Sequence, residues 1–149
     1  FQNPSGVTLS KQRRELLLEL AERWNATIID DDPYGLLRFA GENVPSFGEI
    51  APEHPLVFQV RTFSKVIAPG LRTGWIDVHP DLRHFAINAK QAMDTCSNVP
   101  VQLAVAEFLE RGLLNEHLDR LRPIYREHKD AMRTSIATHL GENAITTNP

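Results

Sequence analysis

At 149 residues, the chain is about one domain in size and can bury roughly two-thirds of its unfolded surface. Apolar residues make up 42% and charged residues 23%, as in an ordinary soluble globular protein, and the net charge of −3 argues against a nucleic-acid-binding or membrane-binding surface. A single cysteine, Cys96, excludes an internal disulfide and fits a reducing cytoplasm, and no apolar run approaches the ~20 residues that span a bilayer.

The chain opens on Phe1-Gln2-Asn3-Pro4, read as the last residues of a strand, and Asn3-Pro4-Ser5-Gly6 has the chemistry of a turn. Ser10 suits the N-cap of a helix from about Lys11 to Trp24, whose apolar stripe is Leu16, Leu17, Leu20, Ala21 and Trp24. Asn25 is an acceptable left-handed stop. Thr27-Ile28-Ile29 then reads as a short buried strand running into Asp30-Asp31-Asp32-Pro33-Tyr34-Gly35. Strand, helix and strand in this order form a βαβ unit, which implies parallel neighbours and a right-handed crossover.

Residues 40–55 hold Gly41, Pro45, Gly48, Pro52 and Pro55 and read as an irregular connection. Leu56–Val60 is a buried strand, and Ala68-Pro69-Gly70-Leu71 has the residues of a type II turn. Leu71–Val78 is a further strand, expected antiparallel because the connection is too short for a helical crossover. Asp81–Met93 is helical, with Leu82, Phe85, Ala86, Ala89 and Met93 on one face. Pro100–Arg111 is a helix apolar on most sides, hence expected to be buried, and Gly112 ends it. From Leu113 to Leu140 a long helix leads from one domain toward another, with Pro123 expected to kink it. Ala144-Ile145-Thr146-Thr147 looks like a strand. Both ends read as cuts through structure, as in a piece of a longer protein.

Ligands of α/β sheets sit beyond the carboxyl ends of the strands. Four clusters are expected there: Asn3, the segment Asp31–Tyr34, the segment Thr62–Lys65, and Arg72 returned by its turn. Thr62, Ser64 and Arg72 offer two hydroxyls and a guanidinium, the groups of a phosphate socket. Lys65 beside them has a cationic neighbour and a strand end for burial; both favour the free amine that attacks carbonyls. Asp30 and Asp32 read as turn caps or solvated carboxylates. The six histidines form no metal-ligand spacing, and Cys96 has no histidine in any nucleophile signature. An amide, a carboxylate, a phenol, an amine and a phosphate socket together match pyridoxal 5'-phosphate held as a Schiff base on a lysine.

Three motifs in order carry a resemblance: Phe1-Gln-Asn3-Pro-Ser-Gly6, Asp31-Asp-Pro-Tyr34-Gly, and Thr62-Phe-Ser-Lys65-Val-Ile-Ala-Pro-Gly-Leu-Arg72. The chain resembles the fold-type I, class I/II pyridoxal-phosphate aminotransferases, especially their aminoadipate/kynurenine-type branch. The resemblance implies an α/β fold, part of the three-layer, mostly parallel large domain over residues 1–112. Residues 113–149 would be the linking helix and the start of a small C-terminal domain. Lys65 resembles the lysine that carries the cofactor and shuttles a proton, and Asp31 the carboxylate facing the pyridine nitrogen. Asn3 and Tyr34 resemble the pair that hydrogen-bonds the ring's phenolic oxygen; Thr62, Ser64 and Arg72 resemble the phosphate anchors. Ser5 and Thr62 stand where the family often has Thr and Ser, and both keep a hydroxyl.

The implied activity is amino transfer between an amino acid and a 2-oxo acid in a cytoplasmic homodimer. The cofactor-stacking aromatic and the substrate-gripping arginine would lie outside residues 1–149, so that the segment alone would be inactive. Two other readings share the scaffold: the aminotransferase-like effector domain of a winged-helix transcription regulator, and a pyridoxal-phosphate-dependent lyase.

Overall fold

In the computed structural model, which describes residues 1–147, the first helix is set by its two ends. α1 (Lys11–Trp24) begins where the Ser10 hydroxyl accepts the Arg13 N–H at 3.4 Å. It stops at Asn25, which takes a left-handed φ of 47° and returns its N–H to the last turn. β1 (Ile28–Asp31) follows and runs parallel to β2 (Val57–Thr62), with Ile28 opposite Val57 and Asp31 opposite Val60. β3 (Gly74–Asp77) lies antiparallel on the other side of β2, with Thr62 opposite Gly74. The architecture is α/β, and the three-stranded sheet, ordered β1-β2-β3, is mixed.

Two apolar clusters hold the chain together. Leu18 of α1 and Val57 of β2 pack with Phe47 of a short helix, α2 (Phe47–Ile50). Phe63 and Val66, just past β2, pack with Val105 of α4 (Val99–Glu110) and Leu118 of α5 (Leu113–Leu140). The second cluster fixes the loop that carries Lys65, because Val66 next to it is only 2% exposed. Leu118 is equally buried, at 2%. Leu118→Ala is expected to cost about 2–5 kcal/mol through the lost burial and the residual cavity, read as a lower urea midpoint with an unchanged slope.

Several expectations are corrected. The first residues form a turn rather than a strand end: the Gln2 N–H reaches the Val7 carbonyl at 2.9 Å. Residues 40–55 contain α2, started by a reciprocal capping box between Ser46 and Glu49. The Ser46 backbone N–H, then its hydroxyl, hold the Glu49 carboxyl below the usual carboxylate range, helped by Arg14 and Arg61. This contribution is complete above the unfolded carboxyl's value and fades as pH falls through the folded one.

No type II turn forms at 68–71, since Gly70 does not take a positive φ. Pro69–Leu71 is a 3-10 turn, and the reversal falls on Arg72, with φ 51°. Strand pairing therefore starts at Gly74 rather than at Leu71. There is no room for a side chain at Gly74: a Cβ would lie 2.4 Å from the Arg61 carbonyl oxygen.

The helix expected at 81–93 is α3 (Arg83–Asp94), preceded by a 3-10 turn at Pro80–Leu82. Its apolar residues are largely exposed, Met93 at 82%. α4 is not buried on most sides: Val105 alone is buried, and Leu103 is 66% exposed. α5 runs through Pro123 without interruption. The segment 144–147 forms no strand, although its residues favour one, because it finds no partner strand. Among the described residues, no helix is long and apolar enough to cross a membrane.

Candidate active site

The ends of β1 and β2 set the site. β1 alternates: Asp30 is half-buried, while Asp31 is exposed on the face it shares with Ile29. Asp31 makes no hydrogen bond or ion pair among the described residues, and it lines a hollow with Phe1, Gln2, Ser5 and Arg14. Beyond it the Asp32 carboxylate accepts the N–H groups of Tyr34 at 3.2 Å and Gly35 at 2.8 Å. This Asx turn, expected at Asp32, aims the half-buried Tyr34 away from the strand. The turn is tight: a Cβ at Gly35 would meet the Asp32 carboxylate at 2.2 Å.

Asp30 is neither a turn cap nor solvated. The Arg61 Nη2 reaches its carboxylate at 2.7 Å, with side-chain exposures of 14% for Arg61 and 12% for Asp30. The same guanidinium also donates to the Asp30 carbonyl at 2.7 Å and to the Val60 carbonyl at 3.0 Å. The pair joins β1 to β2 directly behind Asp31 and Thr62. A signal for it was present in the strand's period of two, which sends Asp30 and Asp31 to opposite faces. Arg61→Ala should cost about 2–3 kcal/mol by leaving a poorly solvated carboxylate unpaired. Thermal unfolding would check this; Arg61→Lys should recover only part, since an ammonium lacks the fork.

At the end of β2 the predicted hydroxyls do meet. The Thr62 hydroxyl lies 2.9 Å from Ser64 Oγ and 3.4 Å from the Thr73 carbonyl, and it accepts the Ser64 N–H at 3.1 Å. The return of the chain is registered by the Phe63 N–H, which reaches the Thr73 carbonyl at 3.0 Å. Arg72, next to Thr73, is exposed, and its guanidinium rests on the Pro69 carbonyl at 3.3 Å rather than on either hydroxyl.

Lys65 is exposed rather than buried at the strand end, and its amine has no partner among the described residues. It lines an open cavity of about 520 Å³ together with Tyr34, Leu37, Phe39, Tyr125 and Lys129. The Tyr34 hydroxyl is also without a partner among the described residues. Asn3 follows Phe1 into the opening turn, is exposed, and lines neither hollow, although Phe1 lines both. The structure therefore brings Thr62 to Ser64 and Tyr34 to the cavity of Lys65, and leaves Asp31, Asn3 and Arg72 apart from them.

Tyr125, on α5, belongs to none of the three motifs. Its hydroxyl donates to the Lys65 carbonyl at 3.4 Å, and its ring lines the cavity. No local motif marks this contact, which joins residues far apart in the chain.

The family model "Aminotransferase class I and II" matches residues 1–148. The chain is 37% identical to the aromatic-amino-acid aminotransferase 1 of Thermococcus litoralis, over 100% of its own length and 36% of that protein's. It is 34% identical to the HTH-type transcriptional regulator YhdI of Bacillus subtilis, over 94% of its length and 30% of the regulator's. Among solved structures it superposes on Pyrococcus horikoshii kynurenine aminotransferase, in complex with PMP, with a TM-score of 0.86. The identity there is 36%, covering 91% of this chain and 33% of the other. The chain thus spans about a third of the length of the relatives it matches. On sequence and fold together, it belongs to the class I and II aminotransferase family.

Proposed function

We propose that the protein carrying this chain is a pyridoxal-phosphate-dependent aminotransferase, exchanging an amino group between an amino acid and a 2-oxo acid. The observation that carries the proposal is the unpartnered amine of Lys65, set at a cavity wall with the Tyr34 phenol and close in sequence to the paired hydroxyls of Thr62 and Ser64. Pyridoxal phosphate fits this donor set, which supplies an amine for its carbonyl, hydroxyls for its phosphate and a phenol for its ring oxygen. When bound, that cofactor supplies an electron sink for the charge left at Cα after deprotonation.

The chain's own residues then divide the work. Lys65 anchors the cofactor and afterwards takes and returns the Cα proton. Asp31 holds a proton on the ring nitrogen. Asn3 and Tyr34 donate to the phenolic oxygen, and Thr62, Ser64 and Arg72 bind the phosphate. Residues 1–112 are assigned to the cofactor-binding domain and 113–149 to the link toward a small domain. A cytoplasmic homodimer is the proposed working form. The test is amino transfer by the full-length protein from a panel of amino donors to 2-oxoglutarate; no transfer from any donor would refute the activity.

The similarity to YhdI supports one second reading, a regulator that uses the same cofactor-binding scaffold as an effector domain. A basic winged-helix segment of about 70 residues upstream would favour it.

A further inference from the structure

We propose that Arg122 is a positioning residue for Tyr34, an inference that rests on the functional reading above. Arg122 lies on α5, far from the three motifs. Its guanidinium forks onto the Leu36 carbonyl, from Nε at 3.1 Å and from Nη2 at 3.0 Å. The remaining Nη1 reaches Asp119, one turn earlier on α5, at 3.3 Å, so the fork is braced from behind. Leu36 is the middle residue of the 3-10 turn Gly35–Leu37, which closes when the Leu37 N–H reaches the Tyr34 carbonyl at 2.8 Å. A turn this short leaves the Leu36 carbonyl without a backbone donor, and the Arg122 guanidinium supplies one.

The contact is one of a row. Residues 122, 125, 126 and 129 share one face of α5, at spacings of three and four. Arg126 donates to the Phe39 carbonyl, and the Arg126 and Lys129 cations sit 5.7 Å and 5.2 Å from the centre of the Phe39 ring. Tyr125, on the same face, holds the Lys65 carbonyl. A single helix face therefore grips both the segment after Tyr34 and the backbone of Lys65. Neither the Tyr34 hydroxyl nor the Lys65 amine has a partner among the described residues, so their separation is set through the backbone. The Tyr34 backbone N–H is held by the Asp32 carboxylate, and Leu36, two residues further on, is held by the Arg122 fork, so the short turn that carries Tyr34 is tied at both ends. A guanidinium is suited to this, because its rigid plane brings two donors onto the one Leu36 oxygen and so fixes direction as well as distance.

The test uses the full-length, cofactor-loaded protein and reads the pH midpoint of the bound cofactor's visible absorbance. Tyr34→Phe removes the phenol and should move that midpoint. Arg122→Ala is expected to move it in the same direction, by about 0.5 pH unit, or threefold in proton affinity. The double variant should match Tyr34→Phe alone, because the effect of Arg122 passes only through Tyr34. Arg122→Lys, which keeps the charge and loses the fork, should shift the midpoint as well, and it carries the test if Arg122→Ala fails to fold. An unmoved midpoint in the Arg122 variants, or shifts that add in the double variant, would overturn the positioning role alone. A Tyr34→Phe midpoint equal to that of the unsubstituted protein would overturn the underlying reading and this inference with it.

Discussion

Borohydride added to the cofactor-loaded, full-length protein is expected to fix pyridoxal phosphate covalently on Lys65 and on no other lysine. The chain offers Lys11, Lys90 and Lys129 as internal controls. Lys11 and Lys90 are engaged with Glu15 at 3.6 Å and Asp94 at 2.5 Å, and Lys129 lies 3.2 Å from Asp130 and over the Phe39 ring. Lys65 alone among the four has an amine with no partner among the described residues, and it lies next to a cavity. Lys129 shares that cavity, which makes it the informative competitor. Lys65→Ala should lower turnover by at least about 10²–10⁴-fold, the range for a lost proton-transfer group, with the loss of the covalent anchor adding to it. Phosphate anchoring through Thr62 and Ser64 should persist, so the variant should still bind the cofactor reversibly. A labelled peptide containing Lys129 instead would overturn the assignment.

The second large effect is expected at Asp31. Asp31→Asn keeps size and shape and removes the charge, so it cannot hold a proton on the ring nitrogen. In the proposed role that charge acts where Cα loses its proton, and losses at such electrostatic positions run about 10²–10³-fold in kcat. KM should change little, because the interaction strengthens in the transition state rather than on binding. The neighbour supplies the control. Asp30→Asn perturbs the ion pair with Arg61, so it should lower stability and leave the kcat-to-KM pattern unlike that of Asp31→Asn. An unchanged kcat in Asp31→Asn would refute its role.

How far the amino-acid sequence alone carries can be judged residue by residue. It was enough for α1, where Ser10 and Asn25 are local signals that act within one turn of the backbone. It was enough for the antiparallel return to β3, since a connection that short allows no crossover. The three motifs also sufficed for the family, because ordered clusters of reactive side chains are visible without coordinates. The expected burial of α4 does not occur: an apolar composition says that a face should be covered, not that it is, and Leu103 remains exposed. The turn expected at 68–71 does not form either, because Pro-Gly permits a type II turn while the pairing of Phe63 with Thr73 places the left-handed residue at Arg72. Only the tertiary structure decided the rest. The Asp30–Arg61 pair depends on the parallel register of β1 with β2, and the contacts of Arg122 and Tyr125 depend on how α5 lies across two distant loops. Such contacts join residues widely separated along the chain. No local propensity encodes them, because they exist only once the packing of Leu118 against Val66 has brought the helix and the Lys65 loop together.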